Sequence, residues 1–227
     1  MRAILFDAGN TLVFLDYARM AAALGRELRL PVTGEALEAV APQAARAMEG
    51  VRASDAERAD AYLEALFRLA GVPAERLDEV RRSLMRLHGE RHLWSAVLPG
   101  TREALARFRA AGLRLGVVSN SDGRVEAALE AAGLREFFEV VIDSALTGVE
   151  KPDPAIFHAA LGALDVAPSE ALYVGDLYDV DVLGARAAGM EAVLFAPGGA
   201  AVAPGCRSVD SLAALADHLV PGERAAS

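Results

Sequence analysis

An alternation constrains this chain more than any other feature. From Pro99 onward, short apolar runs of strand length take turns with segments of helical periodicity, and most of the runs stop at a polar residue. Thr101–Ala111 is predicted to be a helix ended by Gly112, and Leu113–Val118 a strand that stops at Ser119-Asn120. Then come helix Arg124–Ala132, strand Glu139–Asp143, helix Pro154–Leu164 and strand Ala171–Val174, which stops at Gly175-Asp176. Helix Asp181–Ala188, strand Glu191–Phe195 and helix Asp210–Leu219 complete the pattern. Such units close as right-handed crossovers over a parallel sheet. Arg2–Phe6, ending at Asp7, adds one more apolar strand, so the expected fold is α/β with a parallel five-stranded, Rossmann-like sheet.

The first strand is separated from the second by a block of different character. Residues from about 16 to 92 are rich in Ala, Leu, Arg and Glu and poor in β-branched residues. Their periodicity predicts about four helices with short connections, as in a bundle. The expected organisation is one α/β core, residues 1–15 and 95–227, with an all-helical insertion over 16–94.

With 227 residues and a hydrophobic fraction of 53%, the chain can bury a sizeable core. No apolar run reaches the ~18 residues of a membrane span, and the apolar stretch at the start is too short for a signal peptide. The single cysteine, Cys206, excludes an internal disulfide and a multi-cysteine zinc site. A net charge of −9 argues against nucleic-acid and anionic-membrane partners. The reading is a cytoplasmic protein, monomer or homodimer. Of the 23 basic residues one is a lysine, Lys151, and the rest are arginines. A single retained lysine marks a place where a guanidinium does not serve, or is a chance survivor.

Open α/β sheets bind ligands at the carboxyl ends of their strands. There the sequence sets Asp7 and Thr11 after the first strand and Ser119 and Asn120 after the second. Asp176, Asp179 and Asp181 follow the fourth, and Lys151 lies several residues beyond the third. Each of these residues also reads as a turn residue, a helix cap or surface polarity. Together, several carboxylates beside one lysine make a site for a hard cation and an anion, and oxygen ligands suit Mg²⁺.

Four segments carry a family resemblance. Phe6-Asp7-Ala8-Gly9-Asn10-Thr11-Leu12, Val117-Val118-Ser119-Asn120, Gly148-Val149-Glu150-Lys151-Pro152-Asp153-Pro154 and Val174-Gly175-Asp176-Leu177-Tyr178-Asp179-Val180-Asp181 resemble, in order and spacing, the four motifs of the haloacid dehalogenase superfamily. The helical block resembles the cap that many members insert between motifs one and two. The resemblance implies a hydrolase, Mg²⁺ as cofactor and a small phosphorylated substrate. It makes Asp7 the nucleophile that forms an aspartyl-phosphate, with Asp7, the backbone carbonyl of Gly9, Asp176 and Asp181 (through water) about the metal. Ser119 and Lys151 would hold the phosphoryl oxygens, with Asn120 and Thr11 nearby, and Lys151 would also neutralise transition-state charge.

One position departs from the pattern. Phosphatases of this family usually carry a second Asp two residues after the nucleophile, as general acid and base; here that position is Gly9. The next position, usually Gly, is Asn10. Losing a general acid/base lowers rates ~10²–10⁴-fold, most for poor leaving groups. The expectation is therefore a bias towards activated esters, acyl phosphates or anhydrides, with Asp179, Asp16 or a residue of the helical block as candidate substitutes. Two alternatives stand beside it: a metal-independent 2-haloacid dehalogenase and a non-hydrolysing phosphate-binding protein. A phosphonatase is set aside because the helical block has no lysine. In that block Tyr17, Arg46, Arg52 and Arg58 are polar candidates for specificity, and His88 and His92 read as surface polarity rather than as a metal pair.

Overall fold

A computed structural model describes residues 1–47, 55–198 and 205–220. The chain divides into two compact units, Met1–Phe14 with Ala96–Ser227, and Leu15–Ser95.

In chain order the elements are β1 (Ala3–Phe6), β2 (Phe14–Leu15), α1 (Tyr17–Leu28), α2 (Gly34–Ala47), α3 (Asp55–Leu69), α4 (Leu77–Glu90) and β3 (Trp94–Ala96). They continue with α5 (Thr101–Ala110), β4 (Arg114–Ser119), α6 (Val125–Ala131), β5 (Val140–Asp143), α7 (Ser144–Thr147) and α8 (Pro154–Ala163). The last are β6 (Ala171–Gly175), α9 (Leu183–Ala187), β7 (Glu191–Phe195), β8 (Ser208–Val209) and α10 (Leu212–Leu219). The chain crosses between the units at β2 and β3, which pair as a two-stranded sheet.

The α/β unit is built on a six-stranded parallel sheet in the order β5-β4-β1-β6-β7-β8. The five expected strands are all present, and β8 is a correction to their number. That strand is two residues long and follows a Gly/Pro-rich stretch, too short for any periodicity to betray it. All four residues of β1 are fully buried, as a central parallel strand covered on both faces requires. The register sets Phe6 beside both Val117 and Val174, so β1, β4 and β6 reach the same edge together. Beneath that edge Phe6 packs on Phe108 and Phe138 at 6.2 and 6.1 Å, and Phe157 meets Tyr173 edge-on at 4.9 Å. Burying each such ring stabilises the fold by about 1.5–3 kcal/mol.

The helical unit has its own core, centred on Met20, Leu24, Leu37, Leu66, Phe67, Val80 and Leu84. The Asp16 carboxylate caps α1 by accepting from the Arg19 amide at 3.0 Å. Helix α2 runs through Pro42 without ending there. No helix among the described residues is long and apolar enough to cross a membrane.

Candidate active site

The site is assembled where β1, β4 and β6 end. The Asp7 amide prolongs the β1–β6 ladder by donating to the Val174 carbonyl at 2.8 Å, which fixes the direction of its side chain. The chain then turns tightly. The Ala8 carbonyl accepts from the Leu12 and Val13 amides, both at 2.9 Å, and Asn10 donates to the Val13 carbonyl at 2.8 Å. Asn10 sits at φ +54°, a left-handed conformation that Asn tolerates better than most side chains. That is why Asn can stand where the family pattern has Gly. Thr11 is completely buried in this turn, and its hydroxyl has no hydrogen-bond partner among the described residues.

Ser119 ends β4 and is buried. Asn120 grips the backbone of Lys151 from both sides: its Oδ1 accepts from the Lys151 amide at 2.8 Å and its Nδ2 donates to the Lys151 carbonyl at 3.1 Å. So the Asn120 side chain positions the lysine backbone. The Lys151 side chain is 3% exposed, and its Nζ donates to Asp7 Oδ1 at 2.5 Å, Asp181 Oδ1 at 2.7 Å and Tyr173 Oη at 3.1 Å.

Asp181 is not on the regular helix expected from Asp181 to Ala188. Tyr178–Val182 form a π-helical turn before α9. An acidic residue in the first turn does not fix the width of that turn, and packing decides it; single π turns recur at functional sites. Here Asp181 Oδ2 folds back to accept from the Leu177 amide at 2.9 Å. Gly175 makes this possible, because a Cβ there would lie 2.4 Å from Asp181 Cγ. Asp176 is half-buried, and the carboxylates of Asp7, Asp176 and Asp181 each offer an oxygen within 4.8 Å of the others. Asp179 is exposed.

Three carboxylates lie close together here, and two of them share one ammonium. Burial lifts the Asp7 carboxyl from 3.8 to about 6, against the pull of Lys151 and helped by Asp181. Burial, with Asp7 and Asp181 nearby, pushes Asp176 well above the usual carboxylate range. Burial works against the Lys151 ammonium, but Asp181 and Asp7 outweigh it and hold the group protonated far into the alkaline range.

Sequence reasoning missed three residues of this region. Tyr173 lies inside β6, fully buried, with its hydroxyl on Lys151. A tyrosine in an otherwise apolar strand was the available signal, since a buried phenol needs a partner. Asp143, at the end of β5, accepts from the Gly123 and Val125 amides at 3.1 Å and from Ala145 at 3.0 Å. Ser144 Oγ accepts from the Ser121 amide at 3.1 Å. These two anchor the loop that carries Ser119 and Asn120.

The helical unit's candidates are placed within that unit alone. The Tyr17 hydroxyl meets that of Tyr62 at 2.7 Å, and Arg46 is exposed. Arg52 and the side chain of Arg58 lie outside the described residues. His88 and His92 correct the surface reading in part. Their ring centroids lie 4.3 Å apart with the planes tilted at 60°, His92 is buried, and each Nδ1 accepts from a backbone amide, of Leu93 and Trp94. His92 lies just beyond the end of α4, with its ring 6.0 Å from that of Trp94.

Comparison with known proteins agrees with the geometry. A family model described as haloacid dehalogenase-like hydrolase matches residues 1–189. The chain is 33% identical over 207 residues to haloacid dehalogenase-like hydrolase domain-containing protein 3 of Bos taurus, covering 86% of this chain and 82% of that protein. It is 30% identical over 225 residues to a Mycobacterium tuberculosis protein named as a phosphatase, covering 96% of this chain and 98% of that one. The crystal structure of a HAD phosphatase from Thermococcus onnurineus superposes with a TM-score of 0.63 at 27% identity, over 99% of this chain and all of that one. On the strength of the family match, the chain belongs to the haloacid dehalogenase-like hydrolases.

Proposed function

We propose that the protein is a Mg²⁺-dependent phosphohydrolase acting on a small phosphorylated metabolite through an aspartyl-phosphate on Asp7. The observation that carries this reading is the cluster of Asp7, Asp176 and Asp181 carboxylates, two of which, Asp7 and Asp181, also bind the ammonium of Lys151. Burial first, and the neighbouring carboxylates second, raise Asp7 and Asp176 above the usual carboxylate range, and three carboxylates with one lysine leave negative charge uncompensated. A hard divalent cation suits that donor set, and Asp7, the Gly9 carbonyl, Asp176 and, through water, Asp181 are the groups to hold it. Bound there, Mg²⁺ supplies positive charge for the phosphoryl oxygens. The same cluster weighs against metal-independent dehalogenation, because with no metal one lysine is left to offset three carboxylates that repel one another. The relatives named as phosphatases support the substrate class.

In the reaction a carboxylate oxygen of Asp7 forms a bond to phosphorus, and the bond from phosphorus to the leaving oxygen breaks with its electron pair on that oxygen. Asp7 is largely ionised at neutral pH. Lys151 and Ser119 hold the phosphoryl oxygens, and the Thr11 hydroxyl, without a partner among the described residues, is a further donor in the nucleophile's turn. Water then attacks the aspartyl-phosphate, releases phosphate and restores Asp7. Gly9 has no proton to give the leaving oxygen, so substrates whose leaving group is stable as an anion are favoured.

Hydrolysis of p-nitrophenyl phosphate, in Mg²⁺ and in EDTA, beside an Asp7→Asn control, tests the reading. Activity that needs both the metal and Asp7 is expected. Release of halide from a 2-haloacid in EDTA, with no phosphatase activity in Mg²⁺, overturns it.

A further inference from the structure

We infer that Tyr173 is a positioning residue for the Lys151 ammonium, a role that rests on the reading above where it touches catalysis. An ammonium has three N–H donors, and in this structure each goes to a different acceptor. Two acceptors, Asp7 and Asp181, are carboxylates assigned above to nucleophilic attack and to the metal. Both therefore have competing calls on their oxygens. The third, Tyr173 Oη at 3.1 Å, is neutral; it also lies 3.3 Å from Asp181 Oδ1, farther than the Val118 carbonyl that takes its proton at 2.9 Å.

Tyr173 is itself held in place on two sides. Its hydroxyl donates to the Val118 carbonyl at 2.9 Å, which turns a lone pair towards Lys151 Nζ. Its ring is completely buried in β6 and braced edge-on by Phe157. Val118 immediately precedes Ser119, so one hydroxyl ties the head of Lys151 to the strand end that presents Ser119. Asn120 ties the lysine's backbone to the same strand end. The two ties fix the flexible four-carbon side chain at its root and at its tip. A catalytic cation held at both ends keeps its geometry when the carboxylates exchange partners, and that preorganisation acts on the transition state.

The chain's single lysine makes this directly observable, since ¹⁵N-lysine labelling gives one Nζ resonance. The variant is Tyr173→Phe, which keeps the ring and its contact with Phe157. With Mg²⁺ present, the Nζ signal is expected to shift and its protons to exchange with water faster than in the wild type. With p-nitrophenyl phosphate, kcat is expected to fall about 10- to 100-fold, the loss of one hydrogen bond to a charged group, with KM held within about twofold. Tyr173→Met serves if the Phe variant does not fold, because a flexible thioether fills the same space without a hydroxyl. An Nζ signal unchanged in position and exchange overturns the inference, whatever happens to kcat. So does a shifted signal accompanied by unchanged kcat in an active enzyme. If the wild type hydrolyses no phosphate ester, the phosphatase reading fails, and the Nζ signal still decides whether Tyr173 holds the lysine.

Discussion

Asp7→Asn removes a charge that the metal-free fold is poorly built to carry, and the gain in stability follows from the site. Burial raises the Asp7 carboxyl from 3.8 to about 6. At ~1.4 kcal/mol per pKa unit, its ionised form is disfavoured in the folded protein by about 3 kcal/mol. The folded state therefore holds a proton on Asp7 between pH 3.8 and about 6 that the unfolded state releases. Stability falls as pH rises through that window, and the whole penalty is present above it. Asn has the same shape and no charge, and removing the Asp7 charge also relieves Asp176. In EDTA at pH 7.5, urea unfolding should find Asp7→Asn more stable by up to about 3 kcal/mol, and at pH 4 the two proteins should be nearly equal. Mg²⁺ at ~100 times its Kd should stabilise the wild type by about 2.7 kcal/mol and the variant by clearly less. If Asp7→Asn is no more stable than wild type at pH 7.5 without metal, or if the difference persists at pH 4, the electrostatic account of the site is wrong.

Two other substitutions test separate parts of the site. Gly9→Asp should restore an acid at the position where the family pattern has one, raising turnover of an alkyl phosphate by up to ~10²–10⁴-fold and that of p-nitrophenyl phosphate much less. Equal changes on both esters would dissociate the leaving-group bias from Gly9. Gly175→Ala places a methyl group 2.4 Å from Asp181 Cγ, so Asp181 must leave its bond to the Leu177 amide. Overpacking of this kind destabilises by about 1–3 kcal/mol, and the thermal protection by Mg²⁺ should shrink with it. Full protection by Mg²⁺ in that variant would remove Asp181 from the metal's surroundings.

The sheet was legible because its strands are buried on both faces. Continuous apolar runs such as Ala3–Phe6 and Leu115–Val118 have few other places to go, and each run's polar successor marked the edge where a site could form. What escaped was whatever depends on packing rather than on pattern. β8 is too short to have a period. The π turn at Tyr178–Val182 exists because Asp181 folds onto the Leu177 amide in the space left by Gly175, a three-body condition that periodicity does not record. Asp143 looked like the ordinary polar end of a strand, and only the folded chain brings three amides to its carboxylate.

The lysine shows how far composition can lead and where it stops. Arginine serves at the other basic positions of this chain, and one lysine is kept. The structure supplies a physical reason. The Lys151 side chain is 3% exposed, and a single nitrogen sends its three donors to Asp7, Asp181 and Tyr173. A tetrahedral ammonium can do that from one point, whereas a planar guanidinium spreads its five donors in a fork that needs more room and flatter acceptors. The count of lysines could therefore single out the position. It could not disclose the third acceptor, because a phenol in the middle of a strand reads as core until the lysine is seen beneath it.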